Sequence, residues 1–314
     1  MNTPISALTR RAFIAGAAAV VTAGCLRNDP TGRIRLAAGD PGGLYLAFAG
    51  LLADQIRARY PGVVVDVLPT EGSVENLSLL RSGEVDMGLA LADVAERDRA
   101  TGAAGTAPSA IARVYENYLQ VIVRESADVR DVSRLAGKRI SIGPDGSGGA
   151  ATSRVLFAAA DLDGRVELKA LRLKDALARL ADGGLDALVW SGGVPTPAIA
   201  DLDAVLPLRI VDIGSLANRM SAISGYTYVL RQVPTCGYVP AGVRSIGVPN
   251  LLLCRPSTGT DLTAAVVDVI ATRAQYLVPP HVRGLQYLDT PSMIQTGLIP
   301  LHLGAMDAYR ALHG

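Results

Sequence analysis

The sequence predicts an α/β protein of two lobes, each a mostly parallel sheet flanked by helices, with two hinge strands joining them. Three observations carry this expectation. A strand–glycine–helix order occurs twice, the two copies share a phrase where a helix meets a strand, and two apolar strands stand between and after the copies.

The first copy opens with the strand-like Ile34-Arg35-Leu36-Ala37-Ala38 and breaks at Gly39-Asp40-Pro41-Gly42-Gly43. An apolar-periodic helix is expected over 44–58, then a β-rich run over 63–68. A helix opening near Ser73 and ending at Ser82-Gly83 leads into a strand over 85–89. The second copy keeps that order, with a strand over 139–142, a break from Gly143 to Gly149 and a helix over 150–160. A strand over 166–173, a helix over 174–181 and a strand over 185–190 complete it. Ser82-Gly83-Glu84-Val85-Asp86 and Asp182-Gly183-Gly184-Leu185-Asp186 are the shared phrase. Alternating strands and helices with glycine punctuation argue for parallel sheets, and two copies argue for two of them. The strand Leu119-Gln120-Val121-Ile122-Val123-Arg124 leads out of the first lobe, and Val248-Pro249-Asn250-Leu251-Leu252-Leu253-Cys254-Arg255 returns to it. Helices follow over 261–276 and 306–312. The expected boundaries are therefore 33–121 with 249–314 for lobe one and 122–248 for lobe two.

The chain has 314 residues, enough for two domains, and a formal net charge of +1. That balance gives no reason to expect nucleic acid as a partner. Beyond residue 30 no apolar run reaches the roughly 18 residues of a membrane span. The start differs. Arg10 and Arg11 precede an uncharged stretch from Ala12 to Gly24, the layout of an export signal, and Thr9-Arg10-Arg11-Ala12-Phe13-Ile14 resembles a twin-arginine signal. Thr22-Ala23-Gly24-Cys25 resembles a bacterial lipobox, with Thr22 where leucine is commonest. Residues 1–24 are thus expected to be a signal peptide, Cys25 the lipidation site and 25–32 a linker. The protein would be exported and held by its lipid on the extracytoplasmic face of a membrane. Cys236 and Cys254 are either a disulfide, which that compartment permits, or two buried thiols, and their spacing does not choose.

Each glycine-rich break precedes a helix, whose first N–H groups and positive end favour an anion. In open α/β sheets such turns sit where ligands bind, although glycine at a strand-to-helix turn is also ordinary geometry. Neither break is a nucleotide fingerprint: Gly143 to Gly149 lacks the Lys-Ser/Thr ending of a phosphate loop. Ser147 and Ser191 do not lie in Gly-x-Ser-x-Gly. His281, His302 and His313 lack metal-ligand spacing, so neither a metal nor another cofactor is expected. Asp86 and Asp186 read as structural duplicates, and an enzyme is not expected.

Gly42-Gly43-Leu44-Tyr45, Gly72-Ser73-Val74-Glu75-Asn76-Leu77 and Asp93-Val94-Ala95 resemble signatures of the TAXI-type solute-binding subunits of TRAP (tripartite ATP-independent periplasmic) transporters. So do Leu135-Ala136-Gly137-Lys138-Arg139, Gly146-Ser147-Gly148, Gly193-Val194-Pro195-Thr196-Pro197, Val248-Pro249-Asn250-Leu251-Leu252 and Ile299-Pro300-Leu301-His302. The resemblance runs from about residue 33 to the end. It implies a type II periplasmic-binding-protein fold that captures a small carboxylate or amino acid by lobe closure and delivers it to an integral membrane permease driven by an ion gradient. It also implies ligand contacts at Tyr45, Ser73, Ser147, Gly148, Gly149 and Thr196, with backbone contacts at Gly43 and Val74. The sequence departs from the pattern at Leu91 and Ala92, where the family carries a polar pair, at Gly149, where it often has threonine, and at Leu46, where it has an aromatic. Fewer polar contacts imply a ligand less polar than glutamate at that end. Two rivals share the fold: a binding lipoprotein serving a receptor or sensor kinase, and an enzyme like those of pyrimidine biosynthesis, which the export signal disfavours.

Overall fold

The computed structural model describes residues 29–283 and 287–313. The signal peptide and Cys25 lie outside the described residues. The strands are β1 (Gly32–Ala37), β2 (Val63–Leu68), β3 (Met87–Leu91), β4 (Ser109–Arg124), β5 (Arg139–Ser141), β6 (Glu167–Lys169), β7 (Ala187–Gly192), β8 (Leu208–Val211), β9 (Val229–Gln232) and β10 (Arg244–Cys254). The helices are α1 (Leu44–Arg59), α2 (Ser73–Ser82), α3 (Ala92–Thr101), α4 (Gly148–Ala159), α5 (Leu173–Ala181), α6 (Pro197–Asp203), α7 (Ala217–Ser224), α8 (Thr260–Thr272), the single turn α9 (Thr290–Met293) and α10 (Leu303–His313).

The strands form one sheet in the order β2-β1-β3-β10-β4-β7-β5-β6, with β8 paired to β4 and β9 to β10. Each half holds a parallel trio: β1 between β2 and β3, and β5 between β6 and β7. Strand β3 is buried at all five positions, so it reads as an unbroken apolar run. The halves are joined by β4 and β10, antiparallel from Ser109↔Cys254 to Leu119↔Ile246, with register shifts on both sides of Leu251–Leu252. The outer half of β10 pairs with β3 and its inner half with β9, while β4 passes on to β7.

The repeat visible in the sequence is reproduced bond for bond. Asp86 Oδ2 accepts from the backbone N–H of Arg35 at 2.9 Å and from its Nε at 3.1 Å. Arg35 Nη2 also donates to Gly83 O at 3.0 Å. In the second half Asp186 Oδ2 accepts from Arg139 N at 2.9 Å and Nε at 3.1 Å, and Arg139 Nη2 donates to Gly183 O at 2.8 Å. Gly83 and Gly183 adopt left-handed φ of 81° and 83°, which ends α2 and turns the chain after α5. The two aspartates thus pin a helix end to the first strand of each trio, a structural role in both copies. The Arg139 side chain holds the Asp186 carboxyl below its ordinary range.

Among the described residues no helix is long and apolar enough to cross a membrane. Among the described residues no group of three or more His, Cys, Asp or Glu is placed to hold a metal ion. Cys236 and Cys254 are free thiols, which decides against the disulfide alternative. Cys254 ends β10 with its side chain buried, whereas Cys236 sits in a loop where its backbone pairs with Val239. His302 is structural: its Nδ1 accepts from Gly304 N–H at 3.2 Å and its Nε2 meets Pro256 O at 3.2 Å, which places the ring proton on Nε2.

Candidate functional site

A cavity of about 60 Å³ lies at the carboxyl ends of β1, β3, β5 and β7, facing the first residues of α1, α2 and α4. One water needs roughly 10–15 Å³ by this measure, so the space suits a few non-hydrogen atoms. Parallel strands deliver their loops to this end, which is why the two glycine-rich breaks meet here. Gly43, Tyr45, Ser73, Ser147, Gly148 and Gly149 all line it. Asp40, Glu71, Leu91, Asn117, Ile142, Trp190 and Ser191 complete much of the wall.

The expected site residues do different work. Tyr45 OH donates to Asn250 Oδ1 at 2.6 Å and lies 3.2 Å from Ser73 Oγ. Since the tyrosine proton goes to Asn250, Ser73 donates to Tyr45, and its oxygen accepts from Leu91 N–H at 3.0 Å. Ser73 is therefore buried and internally bonded; it does not cap α2, whose N-cap is Gly72. Ser147 does cap α4, accepting from Ala150 N–H at 3.0 Å. That leaves the N–H groups of Gly148 and Gly149 outside the helix's own bonding.

Val74 and Thr196 do not line this cavity. Val74 N–H donates to Gly146 O at 3.0 Å, and Glu75 N–H to the same oxygen at 3.1 Å. The start of α2 is thus filled by a carbonyl from the other half of the molecule. Thr196 opens α6 beside a separate hollow that also includes Pro195 and His281. Its Oγ1 donates to Gly193 O at 2.8 Å and accepts from Trp190 Nε1 at 3.0 Å, so it orients the tryptophan ring that walls the cavity.

More bonds cross between the halves. Gly146 N–H donates to Glu71 Oε2 at 2.9 Å. Arg172 Nη1 approaches Asp40 Oδ2 at 3.4 Å, and its Nη2 stands 3.9 Å from Glu71 Oε1. Asp93, buried in the first turn of α3, receives two hydroxyls on Oδ2: Thr152 of α4 at 2.7 Å and Tyr228 at 2.7 Å. Burial pushes the Asp93 carboxyl above its ordinary range, and those two donors oppose the rise. Gly148 lets the surfaces meet: a Cβ there would stand 2.8 Å from Leu91 Cδ1 and 2.9 Å from Ser73 Cβ, and closer still to Ser73 Oγ.

Sequence reasoning missed Asp40, Glu71, Asn117, Trp190 and Ser191. Asp40 lay inside the Gly39–Gly43 break, and Trp190, the only tryptophan, at the end of an expected strand. Either was a signal that a loop or strand end faces a ligand. Asn117 carried none, because the start of β4 was not legible.

Residues 36–311 match the NMT1-like family. Among solved structures the chain is similar to the periplasmic binding protein BugD, at 14% identity over 80% of this chain and 84% of that one, with a TM-score of 0.54. It is also similar to Tv2483 bound to L-arginine, at 14% identity over 77% and 85%, with a TM-score of 0.51. A third likeness is to the alkanesulfonate-binding protein SsuA from Xanthomonas axonopodis pv. citri bound to MOPS, at 16% identity over 90% and 91%, with a TM-score of 0.50. At these identities the likeness shows the fold, the α/β architecture of periplasmic binding proteins.

Proposed function

The chain belongs to the NMT1-like family, and from that premise we propose that it is an extracytoplasmic solute-binding protein that captures a small organic acid or amino acid between its two halves. The observation that carries this is the cavity itself. It sits where helix starts from both halves converge, and hydrogen bonds from each half to the other close it over. Such a site holds a ligand and releases it by opening about the paired strands β4 and β10. The site is made for binding and not for turnover. Its serine hydroxyls at 73 and 147 are engaged in the fold, and among the described residues no histidine or cysteine lines the wall.

The boundaries expected from sequence, 33–121 with 249–314 and 122–248, describe the moving lobes in this reading. The motif set from Gly42 to His302 supports delivery to a TRAP-type permease driven by an ion gradient, as in TAXI subunits. Acylation of Cys25 would hold the protein on the extracytoplasmic face of the membrane.

The test is a thermal-shift panel on full-length protein that has been unfolded, dialysed and refolded to remove any carried ligand. Amino acids and mono- and dicarboxylates are supplied at 1 mM. A ligand with a Kd near 1 μM stabilises the native state by about 4 kcal/mol at that concentration. For a chain of this size the melting temperature should rise by roughly 6 °C. If no compound in the panel moves it, capture of this solute class is refuted.

A further inference from the structure

We infer that Trp190 sets the length of the solute, standing as a partition between the cavity and the larger hollow beside α6. This deepens the solute-binding reading and rests on it.

The two spaces are the first observation. The cavity holds about 60 Å³ and the hollow about 500 Å³. Gly43 and Leu44 line both, so the spaces share a wall. Leu44, Leu46, Pro195 and Val282 give the hollow an apolar lining, and the charged Asp201 on its wall is exposed to solvent.

The placement of the indole is the second observation. Trp190 lines the cavity. Its Nε1 donates to Thr196 Oγ1 at 3.0 Å, and a Cβ on Gly43 would stand 3.7 Å from its Cζ2 and Cη2. Those three atoms form one edge of the ring. That edge meets Thr196 and Gly43, two residues of the hollow's wall, while the ring itself walls the cavity. The neighbours fix it there. Thr196 Oγ1 gives its own proton to Gly193 O at 2.8 Å, which leaves its oxygen as the acceptor for the indole. A Cβ on Gly192 would collide with Nε1 and stand 3.1 Å from Cδ1 and Cε2, so glycine is what lets the ring fold back along β7 towards Thr196.

A solute whose polar head fills the cavity therefore has its next carbons stopped by a held ring. Forcing them past it overpacks the site, and specificity by such a clash rejects the longer homologues of a solute that fits. Without the ring the hollow is open to the tail, and each methylene buried there should tighten binding about fourfold. The class selected is the short-chain acid or amino acid, with homologues carrying a long straight apolar tail excluded.

The experiment titrates refolded full-length protein and Trp190→Ala calorimetrically with homologous series of probes. These are straight-chain monocarboxylates, their 2-amino derivatives and straight-chain dicarboxylates, from acetate, glycine and oxalate up to the decanoate members. In the parent, affinity should peak at about five carbons or fewer and fall about tenfold or more by the octanoate members. Trp190→Ala loses a wall and should bind the short members more weakly, yet bind the octanoate members about tenfold tighter than the parent does. A damaged fold lowers every affinity and cannot produce that gain. Thr196→Val keeps the size of the side chain, removes the acceptor that holds the ring, and should move the optimum the same way by a smaller step. A parent that binds an octanoate member as tightly as its best short one overturns the inference and leaves solute capture standing. So does an optimum that Trp190→Ala leaves unchanged or, where that variant does not fold, one that Thr196→Val leaves unchanged. No binding of any series by the parent or the variants overturns both.

Discussion

Gly148→Ala separates closure of the cleft from stability of the fold. The new Cβ would meet Leu91 Cδ1 at 2.8 Å and Ser73 Cβ at 2.9 Å, and would lie closer still to Ser73 Oγ. Ser73 cannot swing away without breaking its bonds to Leu91 N–H and Tyr45. The strain should resemble an overpacked core, about 1–3 kcal/mol, borne only when the halves are together. That corresponds to a Kd raised roughly 5- to 150-fold. The ligand-free, open protein should be as stable as the parent or slightly more so, since alanine suits a helix start better and restricts the unfolded chain. Gly149→Ala is the internal comparison: its Cβ would meet nothing nearer than 3.5 Å, ordinary contact with Ser191. The assay is calorimetric titration of both variants with the compound that most raises the parent's melting temperature, alongside ligand-free melting curves. An affinity loss at position 148 no greater than that at 149, or a loss of ligand-free stability, would refute the reasoning.

Three further outcomes follow from the same geometry. Asp93→Ala removes the acceptor for Tyr228 and Thr152, bonds to a charged group worth about 1.5–3 kcal/mol each; titration should show affinity weakened at least tenfold, and an unchanged Kd would mean these bonds do not report on closure. The Asp186 carboxyl, held low by Arg139, stabilises the fold above the unfolded value of about 3.9 and loses that contribution as pH falls through the lower folded value. Melting temperature should therefore fall below about pH 4 in the parent, and Asp186→Asn should lower it near neutrality while flattening that acid limb; parallel curves would count against the pairing. Cys254, whose thiol burial pushes up to about 12, should resist alkylation at pH 8 in native protein and react only after denaturation, whereas the half-buried Cys236 should react ahead of it; mass spectrometry showing the two still joined would contradict free thiols.

The strand order of each half was legible because it rests on local patterns. Left-handed glycines at 83 and 183 end helices, and aspartates at 86 and 186 return to Arg35 and Arg139. What failed to show was burial of polar residues by distant partners. Strand β4 starts at Ser109, ten residues before the expected Leu119, because Arg113, Glu116 and Asn117 interrupt its apolar alternation. Glu116 is buried by Arg231 at 2.7 Å and Tyr287 OH at 2.8 Å, partners more than a hundred residues away in sequence. The segment over 198–247 gave no expected helix or strand; its strands β8 and β9 are short and pair with β4 and β10. The cavity followed the same rule. Turn residues such as Gly43, Ser147 and Gly148 announced themselves by local sequence. Asn117 depends on its register opposite β10, Trp190 on Thr196, and Asp40 on an arginine from the other half. Ser73 was legible as a helix start, but its hydroxyl is claimed by Leu91 and Tyr45, which no local pattern encodes.

Closure around a ligand is tested most directly by amide hydrogen exchange at Val74, Glu75 and Gly146. Their N–H groups donate across the cleft to Gly146 O and Glu71 Oε2, bonds that are lost when the halves part. Exchange is followed at these three amides in stripped protein and again with a saturating compound from the panel that shifts its melting temperature. Closure requires fast exchange without ligand and protection at all three sites with it, while amides in β1 and β3 stay equally protected in both samples. Equal protection at the three amides in both samples would show that the halves do not part, and capture by closure would be wrong.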